Sequence, residues 1–163
     1  MSIESEFLTQ ISTRFKQAFN RIAYAAGQLN DEQVWQRPAS QSNNIGIILQ
    51  HLTGNLNQWV CSSIGGSVYE RNRSAEFADA RRHSKNELLG DFAQLGETVQ
   101  KVLSAIPQDS LMSIRRIQDS DYTILAALLF TVTHLELHAG QVTYIAKLLL
   151  NERYSEQQRP KAP

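Results

Sequence analysis

Two histidines, His134 and His138, stand four residues apart in the apolar stretch FTVTHLELHAGQVTYIAKLL, residues 130–149. At ~100° per residue on an α-helix, a four-residue step leaves the two side chains only ~40° apart, one turn from each other on one face. Such a pair can give one metal ion two imidazole nitrogens. The stretch resembles the helix of zinc proteases at a glance. In that pattern, however, the glutamate follows the first histidine directly, where it reaches the metal-bound water. Here Leu135 holds that place. Glu136, two residues from each histidine, is carried roughly 200° round to the other side of the helix. The protease reading fails on geometry.

Two ligands make a poor site, since a catalytic zinc ordinarily has three protein ligands and one open position. His51, in IILQHLTGN, offers a third imidazole. Helical projection places it at the edge of an apolar stripe, beside Ile47, Ile48 and Asn55. The fourth histidine, His83, lies in a basic loop at a predicted helix start and reads as a surface residue. A lone core histidine is ordinarily a hydrogen-bonded structural residue, and a pair at four-residue spacing is often accidental. Against that, three imidazoles buried without partners would be costly, and one shared ion would satisfy all three. The chemistry alone leaves both readings open.

Other side chains are candidates for the pocket or for its outer layer. Asn55 lies one turn beyond His51 on a similar face. Gln141 lies three residues beyond His138, where it can bind a ligand or orient an imidazole. Tyr144 follows as a further candidate. Their plain alternative is surface polarity or hydrogen bonding between helices, and it is the preferred reading for Asn55. Gly140 reads as a point of close helix packing. Arg71 and Arg73 can receive an anionic substrate, although a solvated loop is the simpler reading. Cys61 is ten residues from His51, ~15 Å along a helix, and reads as a small buried apolar residue rather than a ligand or nucleophile. Trp35 and Trp59 read as core or interface residues. No general base can be assigned: Asp91, Asp119 and Asp121 cannot be placed relative to the histidines.

The elements that must position these residues follow from hydrophobic periodicity. A first helix is predicted over about residues 4–29, with Phe7, Ile11, Phe15, Ala18, Phe19, Ile22 and Ala26 in one stripe. A connector follows, in which Asp31 caps a short turn that Pro38 stops. The second helix starts near Ser42–Asn44 and ends at Gly65–Gly66, burying Ile45, Ile48, Leu49, Leu52, Leu56 and Trp59. The polar segment SVYERNRSAEFADARRH reads as a loop with one helical turn. A third helix covers about residues 84–106, terminated by Pro107. DSLMSIRRIQDSD is a connector, partly extended. Ser120 or Asp121 caps the fourth helix, Tyr122 to about Leu150, which is apolar nearly all round and so the most buried. These elements make one all-α domain over residues 1–150, a four-helix bundle with a long crossover between helices two and three. A polar tail, 151–163, is expected to fray.

Composition narrows the function classes. Lys+Arg and Asp+Glu number 16 each, a balance that gives no support for nucleic-acid binding. Hydrophobic residues make up 42%, enough for a core without disulfides. The single cysteine fits a reducing compartment. The N-terminal stretch does not read as a signal peptide, and no charge-free apolar run approaches ~18 residues. The expectation is a cytoplasmic protein with no membrane partner.

With the elements in place, the chain resembles the DinB-like (YfiT-like) family of metal-dependent enzymes. One carrier is the helix-two histidine in NNIGIILQHLTGNLNQW, where His51–Leu52 matches the family's His-Leu. The other is HLELHAGQV, where His134, His138, Gly140 and Gln141 match His-x-x-x-His leading into x-Gly-Gln. WQRPAS is also similar to the family's connector. The likeness spans about residues 5–150. It implies an up-down-down-up bundle, frequently a homodimer, holding zinc or nickel on His51, His134 and His138. Relatives include low-molecular-weight-thiol S-transferases and a thiol-dependent isomerase. The resemblance therefore implies a metal-dependent transferase or hydrolase acting on a small molecule, with a thiol co-substrate. The alternative is a non-catalytic helical dimer, or a stress-related binding protein, in which the metal is structural.

Overall fold

The computed structural model describes residues 2–77 and 83–157. Four long helices dominate it: α1 (Ile3–Gly27), α3 (Ile45–Leu56), α5 (Lys85–Ala105) and α6 (Ile124–Leu150). Two single turns, α2 (Asp31–Val34) and α4 (Arg73–Glu76), lie in the connections. Each long helix begins at a side-chain cap that takes up a backbone N–H left without an intrahelical partner. Ser2 caps α1, Asn44 caps α3, Thr123 caps α6, and Ser84 with Glu87 forms a reciprocal capping box on α5. Asn44 also donates to the Trp35 carbonyl at 3.1 Å, while the Trp35 indole donates to the His83 carbonyl at 3.0 Å. The connector before α3 is thereby tied to the start of α5.

Named contacts fix the helix directions. Ser12 donates to Gln100 at 2.6 Å, and Phe19 packs on Phe92 at 4.5 Å between ring centroids. Positions rising along α1 thus meet positions falling along α5, so the two are antiparallel. Arg21 pairs with Glu136, and Tyr24 and Gln28 bond Ser155, so α1 and α6 run the same way. His51 meets His134 while Trp59 meets Phe130 and Tyr122, so α3 opposes α6. The result is the expected up-down-down-up bundle, with residues between α3 and α5 as the crossover. Its core runs through Phe15, Ile22, Leu49, Leu56, Phe92, Val99 and Leu128, all buried. No helix among the described residues is long and apolar enough to cross a membrane.

Three local expectations are corrected. The fourth helix begins at Ile124, capped by Thr123, rather than at Tyr122. The residues before it pair as a hairpin, β1 (Ile114–Ile117) with β2 (Ser120–Thr123), turning at Gln118 with φ 55°. The hairpin persists because it buries Ile117 against Trp59 and Ala127. The tail does not fray at residue 151: Tyr154 packs on the core, and Ser155 exchanges hydrogen bonds with Gln28 at 2.8 and 3.1 Å. Gly140 is exposed, and a methyl group there would meet nothing within 4 Å, so it does not serve close packing.

Helix α3 continues past Leu56 as a π-helical segment, Asn57–Ser62. Its wider turns end at Gly65 and Gly66, as expected. A Cβ at Gly65 would stand 2.7 Å from Val102 and from the Cys61 carbonyl, and Gly66 has φ 77°. Only glycine suits this pair without strain.

Candidate metal centre

The antiparallel crossing of α3 and α6 brings His51 against His134 and His138. Their ring centroids are 4.5 to 5.2 Å apart, and the planes meet at 69° to 89°. The rings therefore converge edge to face rather than stack. His51 Nε2 lies 3.0 Å from His134 Nε2. One nitrogen from each of the three lies within 4.8 Å of the others, and among the described residues no fourth histidine, cysteine or carboxylate joins the group. Two nitrogens bound at about 2.0–2.1 Å to a tetrahedral ion stand about 3.3 Å apart. The His51–His134 pair is within a few tenths of an ångström of that spacing.

Protonation and tautomer also fit a cation. Burial, and then repulsion from His138 and His51, pushes His134 down to about 4. Burial likewise holds His51 below its ordinary value, outweighing the opposite pull of Glu76. His138 is lowered by burial and by His51. Near neutral pH the centre thus presents free lone pairs, which a metal needs. His51 Nδ1 faces Glu76 Oε2 at 3.0 Å, and His138 Nδ1 faces Gln141 Oε1 at 2.7 Å. An acceptor at Nδ1 assigns the proton there and leaves Nε2 for the ion. Among the described residues His134 has no such partner, but its ring lies parallel to Phe130, 5° off and 6.2 Å away.

Glu76 comes from α4 in the crossover and is 6% exposed. Arg71 grips it with two N–H donors, Nε to Oε1 at 2.5 Å and Nη2 to Oε2 at 2.7 Å. Arg71 also donates to Gln58 Oε1 at 2.9 Å, which accepts from Gln118 at the hairpin turn at 3.2 Å. A continuous polar chain thus runs from the hairpin through the π-helical segment and the crossover to His51. The carboxylate sits over Gly54: a Cβ there would come within 2.0 Å of Glu76 Oε1 and 2.5 Å of its Cδ. Glycine inside a helix costs roughly 0.5–1 kcal/mol relative to alanine, and here it makes room for the group that orients His51.

The structure places the other candidates as follows. Gln141 is exposed and bonds His138. Asn55 is 5% exposed, and its Oδ1 has no hydrogen-bond partner among the described residues, so it is an interior residue and not surface polarity. Tyr144 is 65% exposed, six residues past His138 and so ~240° round α6, away from the cluster. Glu136 pairs with Arg21 at 2.9 Å, on the far side of α6 as expected. Cys61 is buried, and burial raises its thiol, in keeping with an inert apolar residue. Arg71 corrects the solvated-loop reading, since its side chain is only 7% exposed. Glu76 and Gly54 escaped sequence reasoning because no spacing connects a crossover carboxylate to a helix-two glycine.

These shifts predict how the metal-free protein responds to acid. The unfolded chain binds protons on these histidines from about pH 6.5 downward, while burial in the folded chain lowers all three, His134 to about 4. The unfolded state therefore holds more protons in that window, and stability falls as pH drops through it. Denaturant midpoints of chelator-treated protein at pH 7.5, 6 and 5 should decline. His134→Gln should flatten the decline, and an identical slope in that variant would contradict the assignment.

Comparison with known proteins agrees with this architecture. Solved structures that share the fold include the following three. A conserved protein from Enterococcus faecalis has 14% identity and TM-score 0.72, covering 92% of this chain and 98% of its own. A DinB-like protein from Bacillus cereus ATCC 10987 has 16% identity and TM-score 0.67, covering 88% and 90%. A DinB-like protein from Bacillus subtilis, YjoA, has 18% identity and TM-score 0.68, covering 93% and 99%. Identities this low speak to the fold, which is DinB-like, as the histidine motifs implied. No curated protein matches the chain. The family described as "Protein of unknown function (DUF1572)" matches residues 2–162. With nearly its whole length matched, and the three histidines gathered on a DinB-like bundle, the chain belongs to the DUF1572 family.

Proposed function

We propose that this protein is a metal-dependent enzyme that acts on a small molecule, as a thiol S-transferase or a hydrolase. The observation that carries the reading is the convergence of His51, His134 and His138 with no fourth protein ligand among the described residues. Three neutral imidazoles leave a divalent ion its full charge and an open position, the arrangement of catalytic rather than structural sites. When bound, zinc or nickel supplies Lewis acidity, which acidifies a thiol or water and polarises a carbonyl. The protein's own part is to hold the imidazoles: Glu76 fixes the His51 tautomer and Gln141 that of His138. His134 and His138 are only half-buried, so a ligand can approach from solvent.

A second reading, a non-catalytic dimer with a structural ion, draws support from the apolar side chains Leu137, Tyr144 and Leu148. They are 54% to 65% exposed along one side of α6, where a second copy could cover them. Cobalt(II) substitution separates the two. For the enzyme, adding a small thiol should produce a new sulfur-to-cobalt absorption band, and chelation should leave the helical fold folded at 25 °C, because the core closes without the ion. A visible spectrum indifferent to thiol, together with a collapse of the melting temperature on chelation, would establish the structural role instead.

A further inference from the structure

The solvent side of the centre carries groups that metal binding does not require. Phe77, just after α4, sets its ring 5.0 Å from that of His51 and is 38% exposed. Phe130, one turn before His134, lies parallel to that imidazole, stacks on Trp59 at 4.5 Å, and is 49% exposed. Two large apolar rings from different elements are thus left partly in water beside the same three histidines. The guanidinium of Arg73 stands over Phe77, 5.7 Å from its centroid. Arg71 is committed to Glu76, whereas Arg73 is exposed and forms no ion pair among the described residues. The charges do not balance. Imidazole ligands set no negative charge against a divalent ion, and among the described residues the carboxylate that bonds the centre, Glu76, is answered by Arg71. An excess of positive charge beside apolar rings, where screening by water is reduced, is left for a ligand to neutralise.

We propose that the site takes a small molecule with a planar aromatic body and an anionic head. The head meets the histidine centre and Arg73, and the body lies against Phe77 and Phe130. Partly exposed aromatic rings suit such a body, and a guanidinium with no ion pair among the described residues suits a carboxylate-like head. This rests on the metal-enzyme reading and names the substrate class for it.

The test uses full-length zinc-loaded protein and calorimetric titration with phenylacetate, with its uncharged isostere phenylacetamide, and with acetate, which lacks the ring. Phenylacetate should bind at least about tenfold more tightly than either. Trp59 fluorescence should change on binding, because Trp59 stacks on Phe130. Arg73→Gln should weaken phenylacetate about fivefold to tenfold with zinc content unchanged, and Arg73→Lys should recover part of the loss. Phe77→Ala should narrow the gap between phenylacetate and acetate. Equal binding of the three probes, no binding of phenylacetate, or unchanged affinity in Arg73→Gln overturns the proposal while leaving the metal centre standing. Failure of the protein to hold zinc at all overturns both.

Discussion

Replacing Gly54 with alanine should both destabilise the protein and loosen its three-histidine cluster, although residue 54 is not one of the three. The new methyl group would stand 2.0 Å from Glu76 Oε1, so the carboxylate must leave its seat. Two losses follow. Arg71, with a side chain 7% exposed, is left as a buried charge without its partner, and breaking such a pair costs about 3–5 kcal/mol. His51 loses the acceptor that holds its Nδ1 proton, and removal of such an outer partner lowers metal affinity roughly 10–100-fold. Helix propensity acts in the opposite direction, since alanine favours a helix over glycine by about 1 kcal/mol, and is too small to compensate. Urea denaturation and zinc competition with a chromophoric chelator measure the two losses separately. Wild-type values in both would show that Glu76 occupies its place for other reasons. Glu76→Gln is the milder control, because it keeps the shape and one acceptor while removing the charge.

The second large effect belongs to the ligands. His134→Ala should reduce zinc affinity by more than about 100-fold, exceeding the loss expected from any outer partner. His138→Ala should do the same, whereas His83→Ala, at an exposed position, should change nothing. Fold stability of the metal-free His134→Ala protein should not fall much. The ring is only half-buried, and its truncation removes a group that repels its neighbours when protonated. Elemental analysis and chelator competition on tag-free protein decide the matter. Full metal content in His134→Ala would remove the three-histidine centre as the binding site.

Much of this was legible in the chain, and the reasons differ by residue. His134 and His138 announce themselves because helical periodicity converts a four-residue spacing into a shared face. His51 was found because its position beside an apolar stripe implies burial, and burial of an imidazole asks for a partner. The bundle followed from four long stripes with caps and stops. What escaped lies where contacts are set by tertiary docking. Glu76 and Arg71 sit in a polar segment whose composition looks solvated, and the seat at Gly54 with the bonds to His51 and Gln58 draws them inside. Thr123 was missed as the cap of α6 because Ser120 and Asp121 are equally good caps. The hairpin that occupies them is stabilised from a distance, by Ile117 meeting Trp59. Tyr154 and Ser155 read as tail because their anchor, Gln28, lies at the opposite end of the sequence.

The polar chain from Gln118 through Gln58, Arg71 and Glu76 to His51 has a consequence in time. Its links join residues 60, 13, 5 and 25 positions apart, and His51 must then meet His134 across 83 positions. Contacts of high sequence separation form late, because loop closure must precede them. Individual helices can form early, but the oriented triad exists only once hairpin, crossover and both helices have docked. A nascent or misassembled chain therefore presents scattered histidines, and the three converging imidazoles that could hold an ion exist only at the completion of folding.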